Sequence, residues 1–364
     1  MNILYISPEN TVGTLDLYRR IHEYRGNNIR YVTFYHSPKA YREDICLDLP
    51  FNFTNNFLKK LRHRVYQLYR GKAGYHTERK GYPPVWEPEG HLDAAFIAWK
   101  EKIWDKYIQR AIREYNLYHF DIVHFESGMD FYRDARFAKE LKKRGTKIVC
   151  HYHGEDLRSR GILKELDAVS DLNLTNEVDL LRKHPDIHYI FLPFDTENFL
   201  EKYPPLRMER NIPLVTHAPT NRYYKGSNVI IPVCRQLEKE GKIRFSLIEN
   251  LPHHKAMLLK RESDIFIDQI GDKGGWGYGM NSVESLAMGI CTFTEMNEYY
   301  CKFLPDHPFV NVNADTLYDK LREYAVSGDA RRKMSAEGPA WVRKHHDISA
   351  VGTALYEYYR QIGI

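Results

Sequence analysis

Short apolar or β-branched runs alternate with helical patterns along the whole chain, and that alternation restricts the fold more than any single motif does. In the first half the runs are NILYIS (2–7), IRYVTFY (29–35), DIVHFE (121–126), KIVCHYH (147–153), DLNLT (171–175) and IHYIFL (187–192). In the second half they are PLVTHA (213–218), IRFSLIE (243–249), DIFIDQ (264–269), ICTFT (290–294) and FVNV (309–312). Stretches of helical spacing lie between most of them, among them 14–25, 132–143, 226–240, 253–262, 279–288 and 315–327. Strands alternating with helices imply parallel sheets covered on both faces. The expected class is α/β. At 364 residues the chain is too long for one small core and suits two domains.

The segment LPFDTENFLEKYPPLRMERNIP (192–213), rich in proline and charge, marks the expected boundary. It gives a first domain over 1–200 and a second over 201–340. The last segment, 341–364, has helical spacing and no strand after it, so it is expected to pack back on the first domain. An insertion over about 40–92 interrupts the first domain. Within it Phe57, Leu58, Leu61, Val65, Leu68 and Tyr69 share a helical stripe, while Lys59, Lys60, Arg62, Arg64 and Arg70 fall largely elsewhere. Residues 57–72 therefore read as an ordinary surface helix, or as a cationic helix for an anionic membrane or an acidic acceptor.

The net charge of +5 is mild for this length, and no nucleic-acid partner is expected. Five cysteines with no C-x-x-C pair argue against a disulfide framework or structural zinc. The start of the chain lacks a secretory pattern, and no run reaches the roughly 18 apolar residues of a membrane span. A cytoplasmic protein is expected, with a peripheral position on the inner membrane face left open.

Open parallel sheets bind ligands beyond the carboxyl ends of their strands. After DIFIDQ comes a loop containing Gly274, Gly275, Gly277 and Gly279, then a helix carrying Glu284. Glycine lets backbone approach a ligand closely, a helix start presents free N–H groups to phosphate, and a carboxylate one turn in can accept two ribose hydroxyls. The plain alternative is a turn that needs glycine, with Glu284 solvated. After PLVTHA come Arg222 and Lys225, two cations beside a second helix start, suited to a diphosphate. After KIVCHYH comes a turn at Gly154, with His151 and His153 on one side of the strand. H-x-H can open a metal site, but no further histidines and carboxylates stand at convincing spacing, so no metal is expected. Neither G-x-G-x-x-G, a P-loop nor a G-x-S-x-G elbow occurs, which weakens dinucleotide, NTP-hydrolysis and α/β-hydrolase readings.

Taken in order, DIVHFESG, KIVCHYHGEDLR, LPFDTENF, HAPTNRYYKG and GWGYGMNSVESLAMG resemble the retaining glycosyltransferases of family 4. The resemblance implies a GT-B fold, two Rossmann-like domains facing a cleft, with the acceptor on the first domain and the nucleotide-sugar on the second. It implies that Arg222 and Lys225 hold the donor diphosphate and that Gly277, Tyr278, Gly279 and Met280 lend backbone N–H groups to phosphate and sugar. Glu284 would receive the ribose hydroxyls, His153 would reach the donor sugar, and Gly13 would lie near the phosphates. The family usually carries an acid eight positions before Glu284, and here that position is Trp276. An indole accepts no hydrogen bond but can wall a sugar face. Asp268, Gln269 or Asp272 would then hold the sugar, or activity is altered.

The implied activity is transfer of a hexosyl or related group to a hydroxyl acceptor, glycan or lipid-linked, in bacterial surface glycan or glycolipid synthesis. It would retain the anomeric configuration and use no cofactor, the nucleotide-sugar being a substrate. With no D-x-D motif, Arg222 and Lys225 would take the place of a metal. Two other classes stay open: a nucleotide-sugar epimerase of the same fold, and a degenerate, non-catalytic binding protein.

Overall fold

A computed structural model describes residues 1–10, 13–37, 40–51, 78–206 and 210–364. The basic stretch 57–72 lies outside the described residues. The rest divides into two compact units, Met1–Leu192 with Gly352–Ile364, and Pro193–Val351.

The first unit is built on a seven-stranded sheet with the order β3-β2-β1-β4-β5-β6-β7. The strands are β1 (Asn2–Ser7), β2 (Asn28–Thr33), β3 (Ile45–Cys46), β4 (Ile122–Glu126), β5 (Lys147–Tyr152), β6 (Leu172–Thr175) and β7 (Ile187–Tyr189). Every pairing is parallel; Ile3, for instance, stands opposite both Ile29 and Ile122. Ile3, Leu4, Tyr5 and Ile6 are all buried, as expected when helices cover both faces of a parallel sheet. The stretch 40–92 is not wholly an insertion. Ile45–Cys46 adds an edge strand, and Val85 forms a parallel bridge to Ile162. The helix His91–Glu114 then closes one face, with Trp104, Ile108, Ala111 and Ile112 in the core.

The second unit has the five-stranded parallel order β12-β11-β10-β8-β9. Its strands are β8 (Leu214–His217), β9 (Arg244–Leu247), β10 (Ile265–Ile267), β11 (Cys291–Thr294) and β12 (Val310–Asn311). Between them run the helices Ser227–Lys239, His253–Lys260 and Met280–Ala287, followed by Leu317–Val326 and Gly328–His345.

Two boundaries move from their expected places. The first break falls after Leu192 rather than 200, because the aromatic side chains of 194–203 belong to the second unit. Phe194 meets Phe199 at 4.8 Å, Phe199 meets Tyr203 at 5.2 Å, and Phe194 bridges Asp347. The tail expected over 341–364 is two helices. Gly328–His345 stays with the second unit, where Trp341 packs on Phe309 and Tyr278. Ile348–Gln361 carries the chain back into the first unit. There Tyr359 is buried with its hydroxyl 2.6 Å from His124 Nε2, and the Tyr356 hydroxyl lies 2.9 Å from His22 Nδ1. Burial pulls His124 down to about 3, so this docking histidine is neutral.

Candidate functional site

In a doubly wound sheet the ligand crevice opens where strand order reverses. That point lies between β8 and β10 in the second unit, and between β1 and β4 in the first.

Beyond β8 the chain turns through Arg222–Lys225 into the helix that starts at Ser227. Gly226 makes the turn with φ 64°, and a Cβ there would stand 1.9 Å from the Ile270 carbonyl oxygen, so only glycine fits. The close approach brings the two strand ends together. Lys225 Nζ donates to Asp268 Oδ1 at 2.5 Å and to Gln269 Oε1 at 2.9 Å. The other oxygen of Asp268 accepts from the Gly279 N–H (3.1 Å) and the Ser282 hydroxyl (2.7 Å), at the start of the Met280–Ala287 helix. Burial alone would raise the pKa of Asp268, but the Lys225 charge and these hydrogen bonds hold it below its usual value. His217 ties the same strand ends together: its ring lies 2.8 Å from the Ile267 carbonyl and 2.8 Å from the Ser227 hydroxyl, and burial pulls it down to about 4.

The glycine loop follows. Gly277 has φ 78°, and a Cβ would meet the Tyr300 ring at 2.5 Å. The Tyr278 side chain turns inward, its hydroxyl 2.8 Å from His346 Nε2, leaving only its backbone for a ligand. Met280 opens the helix and is half-buried, and half-buried Trp276 leans on Tyr299 with ring centres 5.7 Å apart. Asp272 turns from the cluster to accept from Asn297. Glu284 is buried rather than solvated, one oxygen 2.6 Å from Lys260 Nζ and the other 2.7 Å from His253 Nε2. Burial opposes its charge, yet Lys260 and His253 hold its pKa below the usual carboxylate value. Lys260 is itself fully buried.

Two expected ligands of phosphate are already engaged. The Gly279 N–H is taken by Asp268, and Arg222 stands outside the cluster. The Arg222 guanidinium is 61% exposed and forms a bidentate pair with Glu249, at 2.7 and 2.5 Å. Sequence reading missed Asp268 as the acid that fixes Lys225, although it weighed Asp268 for the sugar. It also missed Lys260 and His253, because lysines and histidines on a helix read as solvent-facing, and Glu249, which stands in the loop past β9.

In the first unit Gly13 begins the Thr14–Glu23 helix with φ 76°, its N–H bonded to Asn10 Oδ1. His153 lies just past β5, with Nε2 2.6 Å from Glu126 Oε2 and Nδ1 2.9 Å from Asn176 Oδ1. Burial works against its charged form, but the Glu126 carboxylate outweighs it and lifts His153 to about 9. Both partners are acceptors, so His153 is an imidazolium that donates from both ring nitrogens. Glu126, in the strand before, is the carboxylate that spacing alone did not connect to the H-x-H pair. Ligand atoms of Glu126, His151 and His153 lie within 4.8 Å of one another, as do those of His36, Glu43 and Cys46. The first group fits a divalent ion only if His153 gives up its proton and its bond to Glu126.

No family model matches this sequence, and no curated protein matches it. Solved structures do match over its whole length. An E. coli trehalose-6-phosphate structure bound with UDP-2-fluoro glucose aligns with TM-score 0.61 at 12% identity, over 100% of this chain and 99% of the other. The catalytic domain of Arabidopsis thaliana starch synthase IV, bound to ADP and acarbose, aligns with 0.59 at 10% identity, over 100% and 99%. An alpha-glucosyltransferase in complex with UDP and a 13-mer DNA aligns with 0.58 at 10% identity, over 100% of both. The architecture is that of the GT-B class, two Rossmann-like α/β units of parallel strands. At such identities the likeness establishes the fold.

Proposed function

We propose that the protein is a retaining glycosyltransferase, similar to family 4, that moves a sugar from a nucleoside-diphosphate donor to an acceptor hydroxyl without a metal. The observation that carries this reading is the cluster of Lys225, Asp268, Gln269, Gly279 and Ser282 at the switch point of the second sheet, one helical turn from Glu284. An ammonium has three N–H donors. Two are fixed on Asp268 and Gln269, so Lys225 enters the reaction already desolvated and oriented, with its remaining donor for a diphosphate oxygen. Negative charge develops on the leaving diphosphate, and a preorganised cation beside a helix start stabilises it without reorganising. Glu284 receives the ribose hydroxyls in exchange for the exposed His253, while Lys260 holds its other oxygen. Trp276 forms a wall for the sugar in place of the usual acid.

The resemblance to family 4 assigns His153 to the donor sugar, and as a doubly bonded imidazolium it would serve there as a fixed positive group. With both ring nitrogens committed it is neither a nucleophile nor a proton shuttle, and a donor phosphate oxygen takes the acceptor proton. The mild net charge weighs against a nucleic-acid acceptor, and the basic residues of the stretch 57–72 suit a lipid-linked or anionic glycan acceptor at the cytoplasmic membrane face. A DNA acceptor, as held by one structural neighbour, is the competing outcome. Trp276 also supports a second reading, a protein that binds nucleotide-sugar without transfer.

A thermal-shift panel of nucleoside diphosphates and their sugars tests the proposal. A ligand at 100 times its Kd adds about 2.7 kcal/mol, a rise of a few degrees. Proton NMR of the product reports retention, and activity in EDTA reports metal independence. No shift with any nucleotide overturns the donor site, and a shift without turnover selects the second reading.

A further inference from the structure

The first unit holds a second cluster that the proposed transfer leaves unused. Arg133 follows β4 and Arg160 follows β5, so both stand past the carboxyl ends of adjacent strands. The Arg133 guanidinium lies 4.8 Å over the Trp86 ring, and the Trp86 N–H is bonded to the Ile162 carbonyl at 2.8 Å, which draws the two loops together. Arg160 is gripped by carbonyls alone: Nη2 donates to Ser127 (2.6 Å) and Gly128 (3.3 Å), and Nε to Gly161 (3.0 Å). Such contacts orient a guanidinium without neutralising it. Arg133 Nη1 is buried with no hydrogen-bond partner.

Among the described residues no ion pair reaches either arginine; Asp93 and Glu101 favour the charged form of Arg133, and Asp156 that of Arg160, only from beyond contact distance. Glu101 is close, but its Oε1 accepts from the Arg133 backbone N–H at 2.7 Å, and its Oε2 faces Arg136 at 3.9 Å. The two cations act on each other, for burial first and Arg160 next pull Arg133 down to about 10. Tyr35, past β2, belongs to the same field. Burial pushes its hydroxyl up to about 12, and Arg133 opposes the rise.

Both residues are half-buried. A cation drawn out of water with no carboxylate in contact is costly, and a second of the same sign adds to the cost. An anion of matching geometry removes both. Guanidinium forks match phosphate oxygens, and a phosphomonoester carries about −1.5 to −2 charges where a carboxylate carries one. We propose that Arg133 and Arg160 bind a phosphate group on the acceptor. The word acceptor rests on the transferase reading; the phosphate site does not.

The test titrates the full chain with inorganic phosphate and with glycerol 3-phosphate, glycerol being the neutral control, by calorimetry and thermal shift. Both anions bind and glycerol does not. Arg133→Gln and Arg160→Gln each weaken binding at least tenfold, Arg133→Lys keeps part of it, and binding persists in Lys225→Ala. Without ligand Arg133→Gln raises Tm, because one of two like charges is gone; an arginine with a purely structural role would lower it. If Arg133→Gln does not fold, Arg133→Lys carries the comparison, since it keeps the charge and loses the fork. Vesicles of phosphatidylglycerol against phosphatidylcholine name the source: Arg133-dependent binding to the former marks a lipid headgroup, and response to the soluble esters alone marks a sugar or polyol phosphate. Phosphate affinity unchanged in both arginine variants, or lost in Lys225→Ala instead, overturns the proposal. Nucleotide binding judges the donor reading separately.

Discussion

Each unit places a buried acid against a cation at the carboxyl edge of its sheet, and the two pairs are built differently. In the second unit Asp268 faces Lys225; in the first, Glu126 faces His153. Asp268 also takes the Gly279 N–H and the Ser282 hydroxyl, so it anchors a helix start as well as a cation. Lys225 keeps a donor beyond its two bonds. His153 keeps none, because Asn176 takes the nitrogen that Glu126 leaves. The lysine is a positioned hand and the histidine a fixed charge. The same elements, an acid and a base at a strand end, thus give one group with a donor to spare and one with none.

The largest expected effect breaks the lysine pair. Lys225→Ala lowers kcat/KM at least tenfold, a change of about 1.4 kcal/mol or more in the barrier. It also strands a buried carboxylate, which typically costs about 3–5 kcal/mol of stability. Adding Asp268→Asn removes that stranded charge, so the double variant melts above Lys225→Ala yet stays inactive. Activity restored in the double variant would show that Lys225 served Asp268 and not the donor. Thermal melts and steady-state kinetics on the three proteins decide it.

Next in size is Glu284→Gln. The amide has a single acceptor oxygen, which cannot serve both Lys260 and the ribose hydroxyls as the two carboxylate oxygens do, and fully buried Lys260 loses its counter-charge. Nucleotide affinity measured by calorimetry falls roughly tenfold, about 1.4 kcal/mol. Unchanged affinity removes Glu284 from the ribose.

Much of this was legible in the sequence, and the reason is local. The centres of runs such as NILYIS and DIFIDQ, ILYI and IFI, are apolar without alternation because parallel strands are covered on both faces, so α/β class and strand positions follow from pattern. The Gly226 and Gly277 turns are legible because no other residue fits them. Partnerships between distant residues were not. Glu126 meets His153 because β4 pairs with β5, and Asp268 meets Lys225 because β10 pairs with β8. Register decides both, and spacing along the chain carries no register. Arg222 looked equal to Lys225 for the same reason, since nothing beside it in the sequence announces Glu249. The helix boundary at residue 345 was hidden too, because the break at His346–Asp347 depends on Phe194 and Tyr278.

A smaller effect tests the fixed charge of His153. Its pKa of about 9 in the folded chain lies above the ordinary histidine value of about 6.5, so the folded form holds an extra proton between those values. Stability from the pair is complete below about pH 6.5 and is lost as pH rises through 9. Glu126, held well below its usual value, contributes stability above the ordinary carboxylate range that is lost as pH falls. Glu126→Gln removes the reason for the raised histidine. Urea denaturation at pH 6, 7.5 and 9 shows wild-type stability falling across the series and the variant nearly level. A slope kept in the variant means that the pair is not what holds the proton.

The smallest effect separates Arg222 from Lys225. Arg222 is exposed and already paired with Glu249 at the surface, where solvent screens the pair and its net worth is small. Arg222→Ala therefore leaves Tm unchanged within error and lowers kcat/KM less than Lys225→Ala does. Glu249→Gln frees the guanidinium without removing it, and so asks whether the arginine is held in reserve. If Arg222 reaches the diphosphate after leaving Glu249, then Glu249→Gln lowers KM for the donor and Arg222→Ala raises it. If neither variant moves KM, the surface pair is structural and the second unit meets its ligand with Lys225 as the cation, which sharpens the contrast with the locked histidine of the first.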